Sequence, residues 1–454
     1  MRPRRLSEVA AAVGGRLVGE DVEVASATVD SRSAHGDALF FAIRGERDDG
    51  HSYLRDAFTR GARAAIVSRV EGELPGPVVV APDTLDALAA LAADERRRSR
   101  AKVIGITGST GKTVTKDLTA AVLGSRFAVR ASPGSFNTEI GLPLTILGAS
   151  EETEVIVCEM GSRGVGHIAA LCRIAQPHVG IVTNVGVAHL ELFGSKEDIE
   201  NAKAELVEAL SEEGTAIISA DDPVVRGFAA RTTAEVVLFG SAEEADVRAE
   251  GVMLDENGYA RFVLVAGGES EPVQLGIPGE HMVANALAAS AAGLALGVSP
   301  SETASALKGA QVSSWRMEAF ATDGGVRVVN DAYNANPASM AAALKAARWM
   351  ARSGRMAAVL GAMAELGPAS EEEHERVGEL VSRLGVDRLI TVGEGAAAIA
   401  RSAVREGLDP GDVADYADPL DALADVRSWA RSGDVVLFKG SRVVGLEKIA
   451  EAMR

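Results

Sequence analysis

Apolar residues in the middle of the chain, from residue 100 to about 312, occur as short runs that alternate with helical patterns. Four runs are apolar throughout, which is typical of strands buried on both faces of a parallel sheet: 155–158, 179–182, 216–219 and 236–239. Residues 247–276 instead alternate apolar and polar positions around Asp255-Glu256-Asn257-Gly258, which predicts antiparallel hairpins. Two Ala-rich helices are expected to close this part of the chain.

From about residue 313 the chain alternates between apolar runs and helical segments again. Strands are predicted at 326–329, 356–360, 388–392 and 435–438. This alternation indicates a second α/β unit with a Rossmann-like arrangement. No Gly-x-Gly-x-x-Gly follows its first strand, so the pattern does not indicate NAD binding.

The first hundred residues have a different pattern, that of a small mixed α/β unit. They end in an Ala/Leu-rich helix at 84–93 and a charged run at 94–100, which we interpret as a solvated helix end and a hinge. The predicted fold is therefore α/β with three domains. These are a small mixed α/β domain at 1–99, a central phosphate-loop domain with a parallel sheet and an antiparallel extension at 100–312, and a C-terminal Rossmann-like domain at 313–454.

Composition narrows the classes of function. A chain of 454 residues is too long for one ordinary core. A net charge of −18 and an aromatic content of 4% argue against a nucleic-acid partner, which needs basic and stacking surfaces. Cys158 and Cys172 cannot form a disulfide framework, and we expect both to be buried thiols in a reducing compartment.

Targeting signals are also missing from the sequence. The apolar stretch of residues 1–21 is short and interrupted by Arg16, unlike a signal peptide. No run reaches the ~18 apolar residues that a membrane-spanning helix needs. We expect a cytoplasmic protein without membrane insertion.

The strongest local motif is the run Gly105-Ile106-Thr107-Gly108-Ser109-Thr110-Gly111-Lys112-Thr113 between a predicted strand and a predicted helix. Glycines allow backbone N–H groups to turn towards phosphates at a helix N-terminus. Lys112 would place a positive charge on the phosphates, and the Thr113 hydroxyl would bind Mg²⁺. The spacing departs from the strict phosphate-loop motif because Ile106 stands where its first glycine would be. The alternative, a Gly/Thr turn with an incidental lysine, is disfavoured by the flanking strand and helix, so ATP is the expected ligand.

Two polar residues follow predicted strands at the same sheet edge as this loop. Glu159 comes directly after the strand at 155–158, where a carboxylate would suit Mg²⁺. The alternative for Glu159 is an ordinary glutamate in the first turn of a helix. His189 lies just past the strand at 179–182 and is interpreted as a metal or phosphate ligand, although a lone histidine is more often structural.

Lys203 lies on the flank of the apolar stripe of a predicted helix at 197–210. A surface lysine would be expected on the opposite face. Desolvation favours the neutral amine, and only a neutral amine adds CO₂ to become a carbamate that can hold a metal. The alternative is a lysine stem that lies along apolar surface with its charge in water.

The motifs together resemble one family, the Mur ligases, over essentially the whole chain. The resemblance rests on runs in all three predicted domains: 30–32, 36–41, 45–51, the loop at 107–113, 137–143, Glu159, 184–189, 193–194, 202–205, 279–286, 315–318, 330–337 and 439–442. Two positions depart from the family pattern: Ala362 replaces an aspartate and Ser219 replaces an asparagine. These departures limit a detailed transfer of nucleotide and peptide contacts.

The resemblance implies roles for individual residues. The first domain would bind the UDP-sugar, with Ser31 and Arg32 near the uridine diphosphate, and Lys203 would be carbamylated. The ATP site would comprise Gly108, Ser109, Thr110, Gly111, Lys112, Thr113, Val114, Asn285, Arg316 and Asp331. The metal ligands would be Thr113, Glu159, His189 and Lys203, and the catalytic residues Lys112, Lys203, His189 and Asn184. Further substrate contacts would come from Asn137, Thr138, Asn334 and Asn336.

The reaction implied by the resemblance is the ATP-dependent joining of D-alanyl-D-alanine to UDP-N-acetylmuramoyl-tripeptide through an acyl phosphate. The sequence does not set the oligomeric state, and a monomer is the default expectation. The run Asn334-Ala335-Asn336-Pro337 favours this activity over relatives that add one amino acid to a muramoyl peptide or glutamate to a folate. A phosphate-loop switch or motor is disfavoured because no Asp-x-x-Gly follows the loop at a suitable place. A catalytically silent scaffold is disfavoured by the presence of Lys112, Glu159, His189 and Lys203 together.

Overall fold

A computed structural model describes residues 1–45, 48–70, 72–186, 190–352 and 354–454. Its strands form four sheets, in which most neighbouring strands are parallel, and helices cover the large sheets. The predicted α/β class is confirmed. Within the described ranges, no helix combines the length and the apolar character that a membrane crossing requires. The domain boundaries given above stay predictions.

The N-terminal part contains a five-stranded sheet in the order β2-β7-β6-β5-β4 and a two-stranded sheet of β1 and β3. The strands are β1 Arg4–Arg5, β2 Arg16–Val18, β3 Glu23–Val24, β4 Ser26–Thr28, β5 Ala38–Phe41, β6 Ala64–Val67 and β7 Val78–Val80. The helices are α1 Leu6–Ala12, α2 Leu54–Arg60 and α3 Thr84–Arg98. In the larger sheet only β2 runs antiparallel to its neighbour.

Helix α3 extends through most of the charged run that follows its apolar part. Glu95 and Arg96 are only 4% and 6% exposed, so the interpretation of this run as a solvated helix end is wrong for these two residues. Arg96 Nε donates to the carbonyl oxygen of Ala175 at 2.8 Å, and its terminal nitrogens reach the carbonyls of Ser99 and Gln176. The guanidinium group therefore ties α3 to the end of a helix on the central sheet.

The central sheet has nine strands in the order β16-β15-β14-β13-β12-β11-β8-β10-β9. Its strands are β8 Lys102–Thr107, β9 Val129–Ala131, β10 Val155–Glu159, β11 Val179–Val182, β12 Thr215–Ser219, β13 Glu235–Gly240, β14 Val247–Leu254, β15 Tyr259–Ala266 and β16 Glu269–Pro278. The pairs from β9 to β14 are parallel, and β14, β15 and β16 form the antiparallel hairpins predicted from their alternation. Strand β9 was missed because it is three half-buried residues long.

Helices cover both faces of the central sheet: α4 Lys112–Gly124, α5 Gly141–Leu147, α6 His167–Ala175, α7 Leu190–Phe193, α8 Lys196–Glu208, α9 Pro223–Gly227, α10 Met282–Ala295 and α11 Pro300–Gly309. Along β8, Ile104 and Ile106 pack into one hydrophobic cluster and Val103 into another. Burial on both faces explains why these strands are apolar throughout. Cys158 and Cys172 are buried free thiols, and burial raises the pKa of each to about 12.

The C-terminal sheet has six strands in the order β17-β18-β22-β19-β20-β21, all parallel except β17. The strands are β17 Glu318–Ala321, β18 Arg327–Asn330, β19 Met356–Gly361, β20 Arg388–Val392, β21 Val413–Tyr416 and β22 Val435–Lys439. The helices are α12 Pro337–Ala351, α13 Ser370–Arg383, α14 Ala397–Arg405, α15 Pro419–Trp429 and α16 Glu447–Glu451. The edge strands β17 and β21 were missed because neither contains a fully buried residue.

Replacing Arg96 tests its role at the junction between α3 and the central sheet. We expect Arg96→Met to lower the free energy of unfolding by about 2 kcal/mol, because buried carbonyl groups lose charged hydrogen-bond donors. Arg97→Met removes the neighbouring exposed arginine and should have little effect. Thermal unfolding followed by circular dichroism measures both variants, and equal effects would contradict this assignment.

Candidate active site

The phosphate loop joins the end of β8 to the start of α4 and requires glycine at two positions. Gly108 and Gly111 have φ values of +147° and +80°, which disfavour side chains. A Cβ at Gly108 would lie 1.9 Å from Thr183 Oγ1, and one at Gly111 would lie 2.3 Å from Asn285 Oδ1. The loop therefore packs directly against residues from β11's end and from α10.

Asn184, predicted to be catalytic, lies one residue from this contact and holds the loop backbone. Its Oδ1 accepts from Thr110 N at 2.9 Å, and its Nδ2 donates to Thr110 O at 3.2 Å. The Ser109 hydroxyl exchanges hydrogen bonds of 2.9–3.0 Å with the backbone of Gly186. These contacts hold the loop backbone against the chain that follows β11.

Lys112 folds back across the loop at the N-terminus of α4. Its Nζ donates to Gly108 O at 2.7 Å and more weakly to Ser109 O at 3.4 Å. Burial lowers the pKa of Lys112, Glu159 opposes this shift, and Arg316 adds to it. None of the described side chains caps α4, so its first N–H groups are available for an anion. The cationic side chains of Lys112 and Arg316 lie near the same helix end.

Glu159 is the last residue of β10 and is 1% exposed. Its Oε1 accepts from Asn137 Nδ2 at 2.7 Å, while Oε2 is buried with no partner among the described residues. A buried carboxylate oxygen without a donor is unfavourable unless a cation or a hydrogen-bond donor satisfies it. With the hydroxyl of Thr113 in the first turn of α4, this oxygen fits the hard, oxygen-seeking Mg²⁺.

Lys203 lies inside α8's buried face, with 2% of the residue exposed. Its Nζ donates to Ser162 Oγ at 2.7 Å and lies 5.8 Å from the centre of the Phe193 ring. Burial is the main cause that lowers the pKa of Lys203 well below its usual value; nearby Lys112 lowers it further, and Glu205 opposes the shift. The amine does not reach solvent, so the alternative of a lysine with its charge in water is wrong.

His189 lies outside the described residues, so its predicted metal contact stays a prediction. The chain on its N-terminal side is anchored, because Val185 N donates to Asp222 Oδ2 at 2.9 Å. Asp222 also caps α9 by accepting from Val224 N and Val225 N. Sequence analysis missed this anchoring role of Asp222.

Arg316, just before β17, and Asp331, just after β18, reach the same region. Arg316 Nη2 donates to Thr113 Oγ1 at 3.2 Å, and its guanidinium carbon lies 4.1 Å from the centre of the Tyr333 ring. Asp331 accepts from Met317 N at 3.0 Å and forms a buried ion pair with Lys439 at 2.5 Å. Lys439 is the last residue of β22. In the sequence it directly follows the apolar run 435–438, and this pattern indicates a lysine at the end of a buried strand.

Asn285, Asn334 and Asn336, which were predicted to contact ATP or the dipeptide, have different surroundings. Asn285 Oδ1 accepts from Thr115 Oγ1 at 3.1 Å and lies beside Gly111, so it belongs to the loop region. The backbone carbonyl of Asn334 accepts from Lys439 Nζ at 2.9 Å. Asn336 Oδ1 accepts from Ser339 N at 2.9 Å and caps α12, so this oxygen already has a structural role.

The predicted nucleotide-sugar residues lie beside a cleft of about 580 Å³ between the five-stranded and nine-stranded sheets. Its lining comprises residues 1, 25–30, 33, 130, 133, 136, 144 and 147–150. Ser31 is buried and donates to Asp56 Oδ2 at 2.8 Å, whereas Arg32 is exposed and paired with Asp30. Neither lines the cleft, although Asp30 and Ser33 do, and Asn137 and Thr138 also lie outside its lining.

Comparison with known families matches nearly the whole chain. Residues 23–107 match "Mur ligase family, catalytic domain", residues 106–293 match "Mur ligase middle domain", and residues 315–442 match "Mur ligase, glutamate ligase domain".

Individual relatives match over their full lengths. The UDP-N-acetylmuramoyl-tripeptide–D-alanyl-D-alanine ligase of Mycobacterium leprae is 41% identical, over 99% of this chain and 97% of the relative. A crystal structure of MurF from Acinetobacter baumannii superposes with a TM-score of 0.89 at 30% identity, over 99% of this chain and 98% of that one. MurF ligase from Thermotoga maritima in complex with ADP has a TM-score of 0.81 at 31% identity, over 94% and 96%. The chain belongs to the Mur ligase family.

Proposed function

We propose that this chain joins D-alanyl-D-alanine to UDP-N-acetylmuramoyl-tripeptide at the expense of ATP. The observation that carries the proposal is the convergence of Lys112, Glu159 and Arg316 at one phosphate loop, where Glu159 Oε2 and Arg316 Nε are both buried without a partner among the described residues. The names of the full-length relatives support this choice of substrates. We expect the enzyme to act as a cytoplasmic monomer in the synthesis of a cell-wall precursor.

In the first step the terminal carboxylate of the tripeptide attacks the γ-phosphorus of ATP. A carboxylate O–P bond forms, the bond to the leaving ADP oxygen breaks, and the product is an acyl phosphate. Lys112 and the N–H groups of α4 bind the β- and γ-phosphates, and Arg316 reaches the same phosphates from the segment just before β17. The step needs alignment and charge neutralisation more than a protein nucleophile.

In the second step the dipeptide amine attacks the acyl carbon. A C–N bond forms through a tetrahedral intermediate, the C–O bond to phosphate breaks, and the amine loses a proton. Asn334 and Asn336 are the candidates for contacts with the dipeptide. Asn336 Oδ1 uses one of its two acceptor positions to cap α12, so we expect its amide NH₂ group to make the contact with the substrate.

Magnesium ions would neutralise the phosphate oxygens of ATP during transfer. Thr113 and Glu159 would hold one ion, and His189 with carbamylated Lys203 would hold the other. Glu159 Oε2, which has no partner within the described ranges, supports the first site. The lowered pKa of Lys203 supports the second, because a neutral amine is the form that adds CO₂.

The cleft between the first and central sheets is our proposed site for the UDP-sugar. Arg130 lines this cleft, and its Nε is buried with no partner among the described residues. Phe136 lines it too and is largely exposed, so its ring could pack against a base or a sugar. A free guanidinium donor suits the diphosphate. Ser31 and Arg32 would contribute from the adjoining turn.

The reaction itself is tested by phosphate release from Mg-ATP. Release should require both UDP-N-acetylmuramoyl-tripeptide and D-alanyl-D-alanine, and mass spectrometry should find a product heavier by the dipeptide. Tripeptides with diaminopimelate or lysine at the third position identify the preferred substrate. Release that is indifferent to both acceptors would instead support a nucleotide-driven switch, and a product carrying a single amino acid would support a different ligase of the family.

Lys112→Ala tests the phosphate loop. Removing the positive charge next to the transferred phosphoryl group should lower kcat on the order of 10³-fold. Lys102→Ala removes an exposed lysine at the start of β8, the strand that leads into the loop, and should leave the rate unchanged. Steady-state phosphate release measures both variants, and a wild-type rate for Lys112→Ala would refute the loop assignment.

Lys203→Ala tests the carbamate. The variant should lose activity and regain part of it with acetate or propionate, which replace the missing carboxylate-like group.

Because the pKa of Lys203 is lowered, its amine loses a proton at lower pH than an exposed lysine does. Carbamylation in wild type should therefore increase as pH rises through this lowered pKa, measured as the mass of one bound CO₂ that acidification removes. Lys196→Ala, an exposed lysine on the same helix, is the control; an unmodified wild-type amine would contradict the assignment.

A further inference from the structure

The segment 313–318 connects the central and C-terminal sheets and has an unusual backbone. Trp315 and Met317 have φ values of +61° and +52°, although neither is glycine. A left-handed conformation costs free energy for residues with large side chains, and persists only where surrounding contacts hold it. Contacts around this segment must therefore hold it in place.

Three carboxylates accept hydrogen bonds from every second backbone N–H group of this segment. Asp117 Oδ2 accepts from Ser313 N at 2.7 Å, and Glu318 Oε2 accepts from Trp315 N at 3.2 Å. Asp331 Oδ1 accepts from Met317 N at 3.0 Å. We call Asp117, Glu318 and Asp331 the carboxylate cradle. Charged acceptors make these hydrogen bonds stronger than ordinary backbone ones.

Arg316 is the residue that the cradle presents to the phosphate loop. Its Nη2 donates to Thr113 Oγ1 at 3.2 Å, and its guanidinium lies over the ring of Tyr333. Its Nε is buried and has no partner among the described residues. A buried donor without an acceptor, next to the phosphate loop, indicates that a ligand completes its hydrogen bonds.

Asp117 differs from the other two members because it lies on α4, the helix that starts at the phosphate loop. Its Oδ1 forms an ion pair of 2.7 Å with buried Lys116. Lys116 Nζ also donates to the carbonyls of Ser132 and Gly134, at 2.8 and 2.9 Å. One rigid helix thus contacts the connecting segment on one side and the chain leading to Asn137 and Glu159 on the other.

We propose that Asp117 is a positioning residue for Arg316, fixing the connecting segment to the phosphate-loop helix so that Arg316 reaches the phosphates of the nucleotide. This inference rests on the proposed function only for the identity of the reaction. Asp117 does not touch the substrate; it acts through the N–H of Ser313, three residues before Arg316.

A double-mutant cycle tests the proposal. Asp117→Ala should lower kcat/KM for ATP about tenfold, because a misplaced Arg316 loses much of its effect. In an Arg316→Ala background the same change should alter kcat/KM less than about twofold, since coupled residues are not additive. Asp117→Asn keeps an oxygen acceptor and should retain most of the rate. Glu302→Ala removes an equivalent carboxylate–backbone hydrogen bond at α11 and should be silent in both backgrounds.

A second variant separates positioning from folding. Ser313→Pro removes the donated N–H but leaves the Lys116–Asp117 ion pair in place, and it should reproduce the loss seen with Asp117→Ala. The affinity of each variant for ADP is also measured by calorimetry. These affinities give the same double-mutant cycle for variants whose turnover is too slow to measure. Equal losses for Asp117→Ala with and without Arg316, or no loss at all, would overturn the proposal. Failure of the wild type to ligate would refute the proposed function, while the affinity cycle would still test the coupling.

Discussion

The close approach of the phosphate loop to its neighbours is the constraint on which the site depends. The backbone at Gly108 and Gly111 leaves no room for a Cβ, because Thr183 and Asn285 occupy that space. This contact sets the path of the loop, and Asn184 then fixes it with two hydrogen bonds. The loop in turn fixes where α4 starts. The orientation of the Lys112 side chain and the positions of the other side chains on α4 follow from that starting point.

Charge at this site is only partly balanced within the protein. Lys112, Lys203 and Arg316 bring positive or protonatable nitrogens to one region, while one carboxylate oxygen of Glu159 is buried with no partner in the described part of the chain. Buried charges without full partners destabilise a protein unless a ligand or a shifted protonation state compensates. Anionic phosphates and a divalent cation would compensate both signs at once. The chain as a whole carries −18, so this positive region is a local feature of the fold.

Parts of the chain far apart in sequence meet at α4. The Thr113 hydroxyl accepts a hydrogen bond from Arg316, and the Thr115 hydroxyl donates one to Asn285. The Asp117 carboxylate accepts one from the backbone N–H of Ser313. Two of these contacts join the helix to the connecting segment 313–318, and the third joins it to α10. Since the helix is rigid, a shift of the connecting segment changes the distance between Arg316 and the loop directly. Nucleotide binding and the position of the C-terminal sheet are expected to be coupled for this reason.

The sequence by itself determined the α/β class, the hairpins at 247–276 and the phosphate loop, because these depend on local periodicity and on glycines at fixed positions. It also indicated that Glu159 ends a buried strand. Only the tertiary structure decided that Arg96 is buried and that Asp117 accepts from Ser313. These facts depend on partners distant in the chain or on the competition between local and long-range hydrogen bonds. A pattern of residue types does not encode such a partner, whereas packing brings the partners within hydrogen-bond distance.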